Sequence, residues 1–303
     1  MATICITGGT GLIGKALTHY LIAKGHAIIV LSRAEKNSLH NSITYRQWNP
    51  EKGMIDEAAI SAADYIVHLA GAGVADKRWS KKRKEEIKQS RVQSSALLVD
   101  ALTRIPNKVQ AVISASGIGW YGPDKGTAFT ETDQHSNDFL GTTCFEWESS
   151  IEPVTQLGIR LVKLRTGIVL SNEGAAFTEF KRPIQFGFAT ILGSGKQIIS
   201  WVHVLDLVRM YEYAIENKQL AGVFNAAAPN PVSNQELIVA IAKKIKGNAF
   251  ITIPVPAFAL KLVLGEMSIE VLKSTYVSAD KIRQNGFSFL YPTIDAALNE
   301  LIA

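Results

Sequence analysis

Near the start of the chain, Thr7-Gly8-Gly9-Thr10-Gly11-Leu12-Ile13-Gly14 concentrates the positions best suited to chemistry. The string satisfies G-x-G-x-x-G through Gly9, Gly11 and Gly14, and G-x-x-G-x-x-G through Gly8, Gly11 and Gly14. Glycines cluster in any tight turn, but this cluster follows an apolar, β-prone run, Ala2–Thr7, and opens a segment with helical spacing. That is the context a dinucleotide-binding turn requires. A side chain at Gly11 would hold the backbone away from a pyrophosphate, and one at Gly14 would obstruct helix–strand packing. A helix beginning here also aims unpaired N–H groups and the positive end of its dipole at phosphates. Gly8, Thr10, Gly11, Leu12 and Ile13 are therefore expected to hold a dinucleotide. Gly9 to Lys15 reads G-x-x-x-x-G-K as well, but a triphosphate-binding loop needs Ser or Thr next, and Ala16 stands there.

The second apolar run sharpens the choice of cofactor. Where NAD is bound, an Asp or Glu usually lies near the end of this strand and accepts hydrogen bonds from the ribose hydroxyls. Here the run ends Val30-Leu31-Ser32-Arg33. An arginine attracts a 2′-phosphate and Ser32 adds a donor, so NADP is expected.

These positions need elements to hold them. Leu12, Ala16, Leu17, Tyr20, Leu21 and Ala23 recur at helical spacing. Ala27–Ser32, Ile43–Trp48, Tyr65–Ala70, Gln110–Ala115 and Arg160–Arg165 read as strands. Ser80–Thr103 and Phe139–Leu157 read as helices between them. Alternating strands and helices imply right-handed crossovers and a parallel sheet covered on both faces. The expected class is α/β, a Rossmann-type doubly wound parallel sheet with a smaller, mixed α/β C-terminal substrate subdomain. Residues 1–166, joined by about 203–228, form the dinucleotide-binding domain in this reading. Residues 167–202 and 229–303 form the smaller part, where turns accumulate from Gly167 to Gly195. Ser233, with Glu236 three residues on, predicts a capping box for a helix at Asn234–Lys246, and Ala257–Leu264 follows Pro254-Val-Pro256.

Composition excludes several classes. With 303 residues and 47% hydrophobic content the chain can bury a sizeable core. Its two cysteines, Cys5 and Cys144, exclude a disulfide scaffold. The apolar stretches are too short or too interrupted to span a bilayer, and Met1-Ala2-Thr3 leads straight into a strand, so a cytoplasmic protein with no membrane partner is expected. Lys and Arg number 32 against 27 Asp and Glu, a net +5. The excess gathers between Lys77 and Arg91, where eight basic residues stand beside Glu85 and Glu86. No aromatic platform or nucleic-acid motif accompanies them, so a solvated helix face is expected and no nucleic-acid partner. The histidines are dispersed without an H-x-x-x-H pair, and no metal is expected. The helices carry ordinary surface charge and specify no oligomeric state.

Taken together, the motifs resemble the extended short-chain dehydrogenase/reductase superfamily. They are closest to its atypical epimerase family branch, which carries a distinctive C-terminal segment. The resemblance rests on Thr7–Gly14, Val30–Arg33, His68-Leu-Ala-Gly71, Arg78-Trp79 through Ser90-Arg91, and Ser114–Gly122. It continues through Trp147-Glu148, Leu164–Gly167, Gly193–Lys196 with Ser200–His203, Pro256–Glu266 and Gly286-Phe287. It implies that Leu69, Ala70 and Gly71 let the backbone approach adenine and ribose. It also implies that Glu86, Arg91 and Arg165 contact the cofactor.

Reductases of this kind pair Ser or Thr with a Tyr-x-x-x-Lys unit on a helix, where lysine lowers the tyrosine pKa and the phenol moves the substrate proton. Ser116 matches the serine. Leu140 and Cys144 stand where tyrosine and lysine would be, and neither performs that chemistry. Tyr121 and Lys125 have the spacing but are interrupted by Pro123, so Tyr121 either lines a pocket near Ser116, where it, water or the substrate supplies the proton, or has a plain structural role. Cys144 reads as a buried thiol. The resemblance implies an NADP(H)-binding oxidoreductase or epimerase-like enzyme acting on a small carbonyl or hydroxyl compound or a nucleotide sugar. The missing dyad leaves a second reading, an NADP-binding sensor or regulatory protein with weakened catalysis.

Overall fold

The computed structural model describes residues 1–34 and 42–302. Its first half builds β1 (Thr3–Thr7), α1 (Leu12–Ala23), β2 (Ala27–Ser32), β3 (Ile43–Asn49), β4 (Met54–Ile55), α2 (Glu57–Ala62) and β5 (Tyr65–His68). Then come α3 (Lys81–Arg104), β6 (Ala111–Gly117), α4 (Phe139–Ile151) and β7 (Arg160–Thr166). Strand Gly222–Ala226 returns beside β7, giving the sheet order Gly222–Ala226, β7, β6, β5, β1, β2, β3, β4. Within this sheet, among the described residues, only the β3–β4 pair is antiparallel. The order reverses between β1 and β5, and a doubly wound sheet opens its ligand crevice at that switch point, outside the carboxyl ends of the strands.

Both faces of the sheet are buried, as near-continuous apolar strands require. Side chains alternate along a strand, so neighbours serve different cores. Ile4, Ile6, Ile28, Val30, Ala111, Ile113, Val162 and Leu164 join one core with Leu17 and Leu21 of α1. Cys5, Ile29, Leu31, Ile66, Val112 and Leu161 join the other with Leu98 and Ala101 of α3 and Ile151 of α4. This parity has a consequence for chemistry. Ser114 and Ser116 share the face of Val112, and Lys163 and Arg165 share the face of Leu161, so all four turn toward α3 and α4.

The expected Phe139–Leu157 helix is α-helical only to Ile151; residues Glu152–Leu157 tighten into a 3-10 turn. Pro153 sits in its first turn, where the missing N–H costs nothing, but it cannot donate to an α-helical ladder. Two elements stand where turns were expected, helix Ala175–Gln185 and strand Phe188–Leu192. That strand pairs with distant Ile251–Val255, a partnership no local pattern announces. Helix Asn234–Lys246 has the expected bounds, and both halves of its Ser233–Glu236 capping box are formed. The apolar run Ala257–Leu264 after Pro256 forms a helix as well. Among the described residues no helix is long and apolar enough to cross a membrane.

Candidate functional site

The glycine loop joins β1 to α1 at the switch point. Gly8 has φ +68°, and a Cβ there would lie 2.8 Å from the Leu69 carbonyl carbon. A Cβ on Gly14 would lie 2.3 Å from the Gly8 carbonyl oxygen and 2.5 Å from the Gly9 Cα. Gly14 therefore lets the helix seat against its own loop. Gly11 differs. Among the described residues the only atom near a Cβ built on it is the Gly8 oxygen at 3.4 Å, and both Gly11 and Thr10 are exposed. Gly11 is thus dispensable to the fold and open toward whatever occupies the crevice. Helix α1 has no side-chain cap and no acidic residue in its first turn, so nothing of its own first turn competes with an anion for its N–H groups and dipole. Leu12 and Ile13 are half-buried at that turn. A dinucleotide pyrophosphate fits this set of donors.

The opposite wall is the end of β5. Thr7 Oγ1 accepts the N–H of Leu69 at 3.0 Å and of Ala70 at 3.2 Å. It also lies 2.8 Å from His68 Nδ1. With both lone pairs used, the Thr7 hydrogen points to Nδ1, which leaves the imidazole hydrogen on Nε2, 3.1 Å from Ser95 Oγ. Burial pushes the His68 pKa down to about 4, so this ring is neutral near pH 7. Leu69 and Ala70 are half-buried and Gly71 is exposed.

Other expected contacts are distributed unevenly. Ser32 is buried and Arg33 exposed at the end of β2; Ser32 Oγ accepts the Ala34 N–H at 3.3 Å. Arg91 is buried beneath Gly71, its Nη1 donating to the Ala72 and Ile87 carbonyls at 3.0 and 2.8 Å. Its guanidinium stacks on Trp147, 4.9 Å from the ring centre. Glu86 is exposed and takes an ion pair from Arg83 at 2.8 Å, which lowers its carboxyl pKa. Charge balance within the basic run accounts for it.

The third group lies where β6, β7 and α4 meet. Ser116 and Arg165 are register partners. Facing them from α4 is Glu148, 5% exposed. Its Oε1 accepts from Ser116 Oγ at 2.7 Å and from Arg165 Nε at 2.8 Å, and its Oε2 accepts from Arg165 Nη2 at 3.0 Å. Lys163, two residues back along β7, pairs with Glu152, four residues on from Glu148. Two strand residues and four helical residues advance by similar distances, about 6–7 Å, so the cations and carboxylates match rung for rung. Leu140 and Cys144 occupy the preceding turns of α4 on this stripe. They lie against the turn after β6, 3.0 and 3.7 Å from a Cβ built on Gly119. The place of a Tyr/Lys dyad is therefore apolar, and burial pushes the Cys144 thiol pKa up to about 12.

One expectation is corrected here. Arg165, expected on the cofactor, is 2% exposed. Beyond Glu148, its Nη1 donates to Tyr121 Oη at 3.1 Å and to the Glu131 carbonyl at 3.3 Å, and Trp120 covers its face at 3.6 Å. Its parity aims it at α4, behind Ser116. Tyr121, read either as lining the pocket with a proton to supply or as structural, is fully buried and donates to Asn225 Oδ1 at 2.7 Å. Burial raises its pKa to about 12, and Lys125 pairs instead with Asp133 at 2.6 Å. Sequence reasoning noted Glu148 only as part of a motif. The signal that finds it is the i, i+4, i+8 stripe Leu140, Cys144, Glu148 set against the parity of Ser116 and Arg165. Among the described residues no group of three or more His, Cys, Asp or Glu is placed to hold a metal ion.

Fold and site define an extended short-chain dehydrogenase/reductase with an altered catalytic helix. Residues 4–145 match the NAD dependent epimerase/dehydratase family, and residues 255–301 match a domain of unknown function, DUF1731. The chain is 35% identical to the epimerase family protein YfhF of Bacillus subtilis over 99% of its own length and 98% of the relative's. It superposes on the crystal structure of human epimerase family protein SDR39U1 with NADPH at a TM-score of 0.87. Identity there is 27%, with 99% of each chain covered. A nucleoside-diphosphate sugar epimerase from Corynebacterium glutamicum gives a TM-score of 0.79 at 29% identity, covering 99% of this chain and 58% of that one. This chain belongs to the epimerase family of extended short-chain dehydrogenase/reductases, an NAD(P)-dependent, epimerase/dehydratase-like family, and carries its C-terminal segment.

Proposed function

We propose that this protein binds NADP(H) in preference to NAD(H) and works in the cytoplasm on a small carbonyl or hydroxyl compound or a nucleotide sugar. The observation that carries the cofactor reading is the open glycine cradle with Arg33, rather than an acid, at the end of β2. Gly8, Thr10, Gly11, Leu12 and Ile13 would hold the pyrophosphate, Ser32 and Arg33 the 2′-phosphate, and Leu69–Gly71 the adenosine side, with Arg91 bracing Gly71 from below. When bound, the nicotinamide supplies a hydride donor or acceptor. Ser116, at the carboxyl end of β6, orients the reacting oxygen. The NADPH in the human relative's structure supports the choice, as the sugar epimerase relative supports the substrate class.

The test is direct. NADPH should bind at least about tenfold more tightly than NADH, since a charge-assisted hydrogen bond contributes about 1.5–3 kcal/mol. Arg33→Ala should erode that preference while sparing NADH. Equal affinity of the unmutated protein for both dinucleotides would sink the reading.

The apolar Leu140 and Cys144 favour a second reading, a dinucleotide sensor with little turnover. Absence of hydride transfer across a panel of carbonyls and nucleotide sugars, at saturating NADPH, would select it.

A further inference from the structure

The hydrogen of the Ser116 hydroxyl has one destination. Its partner, Glu148, is a carboxylate bonded twice by Arg165 and lies 3.9 Å from Lys163 Nζ. An ionised carboxylate only accepts, so in the 2.7 Å contact Ser116 must donate. A hydroxyl has a single hydrogen. Once it is committed to Glu148, Ser116 Oγ presents only lone pairs to any other neighbour.

The commitment is built into the fold. Ser116 and Glu148 are 4% and 5% exposed, and a carboxylate buried this deeply without its partners would be costly. Arg165 is locked in turn by Tyr121, the Glu131 carbonyl and the Trp120 ring. Nothing in this chain of contacts offers Ser116 a reason to turn its hydrogen outward.

We infer that Glu148 is a specificity-determining, positioning residue: by holding the Ser116 hydrogen it makes the site read a hydrogen-bond donor, so the ligand it selects presents a hydroxyl rather than a carbonyl. This rests on the reading that Ser116 faces the reacting group of a dinucleotide-dependent enzyme. It narrows the substrate class to alcohols. A carbonyl oxygen can only accept, and opposite an acceptor-only Ser116 it gains no hydrogen bond. Glu148 is buried and acts through Ser116 without touching the ligand.

A binding measurement tests this without turnover. Cyclohexanol is offered to the NADPH-loaded protein and cyclohexanone to the NADP⁺-loaded protein, combinations that cannot react, and occupancy is read by saturation-transfer NMR. The unmutated protein should hold the alcohol about tenfold more tightly, the worth of one hydrogen bond. Ser116→Ala should abolish the difference. Glu148→Ala removes the acceptor and frees the Ser116 hydrogen, so the preference should vanish or reverse. Glu148→Gln, whose amide oxygen stays on Ser116 and Arg165 Nε because an NH2 there would oppose the guanidinium donor, should keep it. A purely structural role for Glu148 would weaken both probes alike. Should Glu148→Ala fail to fold, the comparison of unmutated protein with Ser116→Ala still decides. No preference in the unmutated protein, whether both probes bind or neither does, overturns the inference, as does a preference that survives Ser116→Ala. Failure to bind NADPH at all would instead remove the cofactor reading on which it stands.

Discussion

Thr7 and His68 tie the two strands that flank the switch point: Thr7 Oγ1 lies 2.8 Å from His68 Nδ1 while accepting the N–H groups of Leu69 and Ala70. The arrangement needs a neutral imidazole. Protonated Nδ1 would face the Thr7 hydrogen, and a charge would sit where the ring is fully buried.

The pH dependence follows. The folded pKa of His68, about 4, is below the unfolded value near 6.5, so the unfolded chain binds the proton first. The contribution is complete above about pH 6.5 and is lost as pH falls toward 4. Denaturant titrations should show stability falling by up to about 3 kcal/mol across that window from this group. His68→Gln should be less stable at pH 7 but flatter between pH 6.5 and 4. An unchanged slope in the variant would contradict the assignment.

The glycines of the loop should separate by experiment. Gly14→Ala drives a Cβ into backbone at 2.3 Å, so it should lower the thermal midpoint by several degrees and weaken NADPH binding together. Gly11→Ala has room in the fold and should leave the midpoint within a degree or two, yet cost NADPH affinity about a hundredfold or more by fending off the pyrophosphate. Scanning calorimetry with NADPH titration checks both. Similar midpoints and similar affinities for the two variants would refute the division of roles.

Arg165 and Tyr121 should behave as supports. Arg165→Ala leaves the buried Glu148 without its cation and should cost about 3–5 kcal/mol of stability. Tyr121→Phe removes one donor from Asn225 and one acceptor from Arg165 and should cost about 1–3 kcal/mol. In folded protein at low temperature, Tyr121→Phe should bind NADPH as the unmutated chain does. A large loss of NADPH affinity with unchanged stability would return Tyr121 to the binding surface.

The sequence by itself determined the elements whose signals are local. The glycine string sits between an apolar run and a helical stripe, so its turn is specified within a dozen residues. Ser233 and Glu236 cap their helix through bonds spanning three residues, and helix Asn234–Lys246 begins and ends as read. Parity along β6 and β7 follows once the strands are placed, because adjacent strand residues must point to opposite faces. The absent dyad was visible as Leu140 and Cys144. Short or interrupted elements such as Glu57–Ala62 and the Pro153 turn escaped, having too few residues to show a period. Tertiary structure alone decided which groups meet. Glu148 is 32 residues from Ser116 and 17 from Arg165, and Tyr121 finds Asn225 104 residues away. A hydrogen bond depends on distance, direction and burial, and none of these is a property of separation along the chain. For that reason Arg165 looked like a cofactor ligand at a strand end, when packing had already given its guanidinium to a carboxylate.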